Sequence, residues 1–573
     1  MTNIYFKRVY IAFSVILFIF GCSNSNNPAV QLDLISNDIE IDSAMVVSAH
    51  PIATQIGVDI LKNGGNAIDA AVAVQLALAV VYPSAGNIGG GGFMIVRLSD
   101  GKINSLDFRE KAPSLASRNM YLDSNGNVIE NLSLLGHLAS GVPGTIDGLV
   151  KAHEKYGSMA WVDLVKPAID LAKNGYILTL KEAEKLNYYL HSKSDYNTID
   201  SPFAKSLWKS GDTVVLSDLS ETLIRIRDHK RAGFYEGKTA NLLVEEMERG
   251  GGLISFKDLM EYESIWREPI TFRYKDFNII SMDVPSSGGI VLNQLFKMIE
   301  SYPLNKWKFH SPQHVHLIAE AERRAFADRS KFLGDPDFIS IPKEELLDSI
   351  YILSRMQSYD SISSTKSSDI YPGNIIANES EETTHFSIVD QYGNAVSITT
   401  TLNGSFGSGV VVGKAGFLLN NEMDDFSSKP GSPNLYGLVG GEANSIQPKK
   451  RMLSSMTPTV VEKKGKLYMV LGTPGGSTII TGVFQTILNV IEFNMSMHDA
   501  VQAPRFHHQW LPDEIKIEKS ILNDSVLCNK LIDFGHQLNP VGSMNRVDAI
   551  LIDDNGNLQA GADTRGDDTG IGF

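Results

Sequence analysis

Residues 67–81 read AIDAAVAVQLALAVV. As a helix this run is apolar nearly all round, so it leaves no face for water and must be covered on every side. A membrane does not serve as the cover, because the run is too short to span one and carries Asp69 and Gln75. The cover comes from the rest of the chain. At 573 residues, 43% hydrophobic and 20% charged, the chain can bury a substantial core. Residues 52–62 have helical apolar spacing, Gly64 and Gly65 stop that helix, Asn66 caps the next, and Pro83 ends it.

Further along, NIGGGG (87–92) permits close backbone approach, and FMIVRL with INSLDF reads as a hairpin about Asp100-Gly101. From about residue 140 to 355 helices dominate. DLVKPAIDLAKNG, TANLLVEEMERGGG and HVHLIAEAERRAFADRSKF read as amphipathic, and EPITFRYKDFNIISMDVPSSGG as strands ending in a Gly-Gly turn. Residues 358–382 are rich in Ser, Asn and Asp and lack periodicity, the pattern of an exposed, flexible loop. Strands follow: a hairpin about QYGN, a second turning at Lys464-Gly465, and a third in RVDAILIDDNGNLQAGAD. The helix TIITGVFQTILNVIEF lies between the last two. Buried strands with helices on both sides predict stacked sheets covered by helical layers.

The net charge of −15 argues against nucleic-acid binding, which needs a basic surface. Lys7 and Arg8 precede the apolar run Val9 to Phe20, followed by Gly21 and Cys22. This is the pattern of an export signal, and it resembles a bacterial lipoprotein signal with Cys22 as the lipidated residue, although Phe20 is bulkier than that motif usually carries. The other cysteine is Cys528; with Cys22 lipidated no intrachain disulfide is possible, and Cys528 is expected as a packed core thiol.

GTPGGST (472–478) lacks the Lys of a phosphate-binding loop and the spacing of a dinucleotide motif. A Gly-rich turn between a strand and a helix N-terminus still presents N–H groups to an anion, so Gly475 and Gly476 are candidates for an oxyanion hole, against the plain reading of a tight turn. No G-x-S-x-G elbow occurs. His507-His508 lacks metal spacing and reads as a surface or packing pair, and no metal-ligand cluster is visible. In EETTHFSIV (381–389) a strand begins at Thr383 directly after the polar loop. A threonine hydroxyl is a poor nucleophile without a base, but an N-terminal threonine carries one, its own α-amine. A cut between Glu382 and Thr383 would supply nucleophile and base in one residue. The plain alternative is that threonine is common in strands.

The run from TTHFSIVDQYGN through MLSSMTPTVV, with GGNAIDAAVA, GNIGGGGFM, DFREKAP and LGTPGGSTI, resembles the γ-glutamyltranspeptidases, or glutathione hydrolases, from about Ala44 to the C-terminus. The resemblance implies an α+β, four-layer αββα N-terminal-nucleophile hydrolase sandwich, autoprocessed into two subunits. It implies a signal peptide at 1–21, a tether at 22–43, a large subunit at 44–382 and a catalytic small subunit at 383–573. Thr383 is then the nucleophile, Thr401 contacts it, and Gly475 and Gly476 form the oxyanion hole. Arg109, Ser454 and Ser455 take the α-carboxylate of the γ-glutamyl group; Asn403, Glu422 and Asp425 take its α-ammonium. Residues 430–441 resemble a lid loop with Tyr436 at its tip, and Glu422 stands where some bacterial members have Gln. The implied partners are glutathione and other γ-glutamyl compounds, water, and amino-acid or dipeptide acceptors; no metal or cofactor is implied. A same-fold acylase for another acyl group, such as a cephalosporin acylase, and an uncleaved peptide-binding lipoprotein are the rival readings. The combination of Arg109 with Glu422 and Asp425 favours a glutamyl end.

Overall fold

The computed structural model describes residues 41–371, 383–429 and 441–573. The expected signal, the tether up to residue 40, Cys22, Glu382 and the lid tip at Tyr436 lie outside the described residues.

Two antiparallel sheets form the centre. The first orders its strands Thr569–Gly572, Met45–Ser48, Thr383–Val389, Ala395–Thr401, Gly91–Arg97, Ile103–Asp107 and Ile265–Arg267. The second orders Leu558–Gly561, Asp548–Ile552, Lys466–Gly472, Thr459–Lys463, Phe277–Ser281 and Ile270–Tyr274. The four hairpins fall where their turns predict. The strand Thr383–Val389 is buried at every position, as expected of a strand covered on both faces.

Helix Ala67–Val81 is buried along its whole length, with Asn66 closing a capping box with Asp69. Together with helix Pro51–Lys62 it packs on the first sheet, while Gly288–Ile299 and Thr478–Phe493 pack on the second. The result is the expected helix–sheet–sheet–helix layering.

The layers are stitched as well as packed. On the inner faces, Ser387 Oγ donates to Asp548 O at 3.0 Å and Ser397 Oγ donates to Leu471 O at 3.0 Å. The His385 ring lies between Thr399 Oγ1 (2.9 Å) and Ser387 Oγ (3.1 Å), and burial holds it neutral, with its pKa lowered to about 3. The ring sits against Gly472 of the opposite sheet, where a Cβ would lie 2.4 Å from it.

Four expectations differ from the structure. The Gly-Gly of VPSSGG is not a turn; Gly288 and Gly289 open helix Gly288–Ile299, and the preceding Ser286 and Ser287 make the connection. Helix Pro312–Phe332 is not amphipathic in the ordinary sense: Glu320, Glu322, Arg323, Arg324, Asp328 and Arg329 are all buried. Its charged face is covered by the segment that follows residue 357 and by residues around Asp513. Arg324 Nη2 donates to Ser358 Oγ at 2.9 Å, Thr365 Oγ1 donates to Glu320 Oε2 at 2.7 Å, and Arg323 pairs with Asp513. The segment is therefore anchored up to Ile370, where Trp510 Nε1 donates to both Ser367 O and Ile370 O at 3.0 Å. Cys528 is partly exposed rather than a core thiol, because the buried positions of its helix are Leu527 and Leu531.

Gly472→Ala is expected to lower stability by about 1–3 kcal/mol, the usual cost of overpacking, read as a lower urea midpoint. An unchanged midpoint would contradict the close approach of the two sheets at His385.

Candidate active site

Thr383 opens its strand directly opposite Thr401, the last residue of the neighbouring strand. Both are buried and line one cavity together with Arg109, Asn403, Glu422, Asp425, Ser454, Ser455 and Gly476. The sequence places these residues far apart, and the fold brings them to one end of the central strands. The end of the Thr401 strand is braced by Asn87, whose Nδ2 donates to Thr401 O at 2.9 Å and whose Oδ1 accepts from Gly90 N at 3.0 Å. Thr401 Oγ1 in turn accepts from Asn403 N at 2.7 Å, and Asn403 Nδ2 donates to Asn421 O at 2.9 Å. Asn403 sits at φ 69°, a left-handed conformation that Asn tolerates better than most residues.

Opposite lies a buried charge cluster. Arg109 follows the strand Ile103–Asp107, and its backbone N–H donates to Asp107 Oδ1 at 2.9 Å. Its guanidinium lies 2.6 Å from Glu422 Oε2 and donates to Asp425 Oδ2. Glu422 and Asp425 share one short helical turn, which points both carboxylates at the arginine. A third acid, Glu110, lies 3.5 Å from Arg109, and its two oxygens accept no hydrogen bond among the described residues. Burial pushes Glu110 up to about pKa 8, opposed by the Arg109 charge. Burial also raises Glu422 well above the usual range, and raises Asp425.

Ser454 and Ser455 are fixed by the Ser286-Ser287 connection. Ser454 N donates to Pro285 O at 2.8 Å, and Ser287 Oγ donates to Ser454 O at 2.7 Å. Arg329, from the buried charged helix, donates to Ser287 Oγ at 2.8 Å and to Ser455 Oγ at 3.2 Å.

The Gly-rich turn follows strand Lys466–Gly472 and leads into helix Thr478–Phe493, with Gly475 at φ 133° and Gly476 at φ 56°. Side chains other than glycine rarely adopt these angles. Gly476 borders the Thr383 cavity, and Gly475 precedes it in the turn.

Glu110, Asn87 and Arg329 escape a residue-by-residue reading. Glu110 and Asn87 sit inside DFREKAP and NIGGGG, but only three-dimensional proximity gives them a place. His507 and His508 prove to be buried, not surface; His507 lies 2.9 Å from Thr481 Oγ1 and 3.0 Å from Gln509 Oε1. Among the described residues one group with metal-ligand proximity appears in space, His316, Glu320 and His536. Its Glu320 oxygens already accept from Arg323, Arg324 and Thr365, so its donor set is committed to hydrogen bonds.

Residues 53–573 match the Gamma-glutamyltranspeptidase family pattern. The chain belongs to the γ-glutamyltranspeptidase family. It is 44% identical over 541 residues to a glutathione hydrolase proenzyme of Escherichia coli, covering 93% of each chain. An Acylase ACY 1 proenzyme of Pseudomonas is 33% identical, with 92% of this chain and 93% of that protein covered. Among solved structures, the γ-glutamyltranspeptidase of Helicobacter pylori superposes at TM-score 0.55 with 41% identity, over 59% of this chain and 97% of that one. A cephalosporin acylase of Bacillus halodurans superposes at TM-score 0.80 with 25% identity, over 97% and 99%. The fold is thus the N-terminal-nucleophile architecture shared by transpeptidases and acylases of this family.

An acid whose folded pKa is raised favours the fold while protonated and disfavours it once ionised. The Glu110 contribution is therefore full below about pH 4.5 and is lost as pH rises through about 8. Glu110→Gln is expected to leave Tm near wild type at pH 5 and to raise it by a few degrees at pH 9; equal shifts at both pH values would contradict a buried, protonated Glu110.

Proposed function

We propose that this chain is a γ-glutamyltransferase and glutathione hydrolase, made as a precursor that cuts itself between Glu382 and Thr383. The observation that carries this reading is the single cavity joining Thr383 and Thr401 to Arg109, Glu422 and Asp425, in a member of this family.

Thr383 Oγ attacks the γ-glutamyl amide carbonyl, and the Thr383 α-amine accepts the proton. An α-amine has a pKa of about 7.7–8, close to working pH, where a general base is most effective. The Gly475 and Gly476 N–H groups stabilise the oxyanion, aided by their place at a helix N-terminus. Collapse of the tetrahedral adduct breaks the C–N bond as the α-ammonium returns its proton to the leaving nitrogen; this releases the amine half, which is cysteinylglycine when glutathione is the substrate, and leaves a threonine ester. Water hydrolyses the ester, or an amino acid or dipeptide accepts the acyl group. The cycle uses no metal or cofactor. Thr401, opposite Thr383, orients the hydroxyl.

Arg109 supplies a fork matched to the substrate α-carboxylate, with Ser454 and Ser455 as added donors. Asn403, Glu422 and Asp425 receive the α-ammonium. Because Arg109 already pairs with Glu422 and Asp425, a zwitterion trades these two internal ion pairs for external ones, its carboxylate on Arg109 and its ammonium on the two acids. A glutaryl group, which lacks the ammonium, takes Arg109 away from both acids and offers nothing in return. This favours a glutamyl over an acylase-type substrate, as does the higher identity to glutathione hydrolases. The resemblance of residues 430–441, with Tyr436, to the family's lid loop assigns that segment the part of a lid. The pattern of Lys7, Arg8, Val9 to Phe20 and Cys22 supports export and attachment through lipid on Cys22.

N-terminal sequencing of the smaller fragment of purified protein is expected to read TTHFSIV, and Thr383→Ala is expected to give one uncut, inactive chain. A single chain in active wild-type protein would defeat the mechanism. Arg109→Ala is expected to raise KM for γ-glutamyl-p-nitroanilide on the order of a hundredfold, the loss of two charge-assisted hydrogen bonds. An unchanged KM would remove Arg109 from the substrate site.

A further inference from the structure

The Gly475-Gly476 turn has no regular secondary structure of its own to hold its N–H groups at fixed angles. Its neighbour is Asn545, remote in sequence and absent from every motif considered above. Asn545 Nδ2 donates to Pro474 O at 3.0 Å and to Thr478 Oγ1 at 2.8 Å. Thr478 Oγ1 itself donates to Gly475 O at 2.7 Å. One carboxamide thus fastens the residue before the two glycines and, through a hydroxyl, the carbonyl of the first. Both amide hydrogens are spent on acceptors, which fixes the amide orientation: the reverse one would set its oxygen against Pro474 O.

Asn545 is itself held rigidly. It sits at φ 63°, a conformation that Asn and Gly accept and most residues resist. Met544 N donates to Glu518 Oε1 at 2.8 Å, Met544 O accepts from Arg505 Nη1 at 2.9 Å, and Arg546 N donates to Thr473 Oγ1 at 3.0 Å. Side-chain space is tight as well, since a Cβ on Gly475 would lie 2.4 Å from Asn545 Nδ2. On the other side of the turn, Ser477 Oγ donates to Gln509 Oε1 at 2.8 Å. The turn is gripped from two directions by residues that do not border the cavity.

We propose that Asn545 is a positioning residue that sets the Gly475-Gly476 N–H groups for the oxyanion of the reaction. It touches neither substrate nor Thr383 and acts through the turn. An oxyanion hole works because its donors are fixed before the charge develops, so loosening them costs rate and leaves ground-state binding alone. The inference rests on the functional reading above.

The experiment compares wild type with Asn545→Gly, which keeps the left-handed backbone and removes the amide, and Asn545→Asp, which keeps the shape and replaces the donor by an acceptor. Rates on γ-glutamyl-p-nitroanilide are taken per mole of small fragment beginning at Thr383, so poor folding or processing does not count as lost catalysis. Both variants are expected to lose at least tenfold in kcat, with KM within threefold of wild type and the pH midpoint of kcat unmoved. A kcat per processed fragment within threefold of wild type in both variants, or a loss appearing mainly in KM, would overturn the proposal. Absence of γ-glutamyl turnover in processed wild-type protein would instead defeat the functional reading itself.

Discussion

The pairing of Thr383–Val389 with Ala395–Thr401 is the constraint on which the rest depends. The first residue of an ordinary strand frays when the chain before it is missing, because nothing upstream restrains it. Here the partner strand runs the full seven-residue register to Thr401, and Asn87 ties off the partner's end. Farther along, Met45–Ser48 closes the other edge of the Thr383 strand, and Ser387 fastens it to the opposite sheet. The position of Thr383 is thus set by residues that follow it and residues that flank it, so loss of the bond to residue 382 need not disturb it.

The charge cluster follows a different logic. Three buried carboxylates surround Arg109, more negative charge than one guanidinium can balance, and burial answers by raising the acids toward their neutral forms. Such a group is costly to build and gives little stability. In the proposed reading its return is selectivity: a ligand that brings an ammonium along with its carboxylate adds positive charge to a cluster that has too little of it.

The sequence made the layered fold legible because its signals were local. Ala67–Val81 announced burial by being apolar nearly all round, the hairpins by their turns, and the Gly-rich turn by its place before a helix. The residues of the candidate site were picked out through long motifs, Thr383 above all, since a threonine at a new N-terminus would bring its own base. What stayed hidden depends on distance along the chain. Asn545 reaches a turn some 70 residues away (71 to Pro474), Glu110 reads as an ordinary charged neighbour of Arg109, and the charged face of Pro312–Phe332 looks solvated until residues near 365 and 513 cover it. Local patterning also misjudged Cys528 and the glycines at 288–289, where the choice between core and surface, or turn and helix, is made by tertiary neighbours.

The strand order of the two sheets has a last consequence. In the first sheet, strands from before and after residue 383 alternate: Thr569–Gly572, then Met45–Ser48, then Thr383–Val389 and Ala395–Thr401, then Gly91–Arg97. In the second, Phe277–Ser281 pairs directly with Thr459–Lys463. A cut before Thr383 therefore yields two peptides but not two folding units. Neither piece owns a complete sheet, so neither has a native state to return to alone. Subunits of this kind would not exchange between molecules; each mature enzyme would keep for life the partner it was synthesised with.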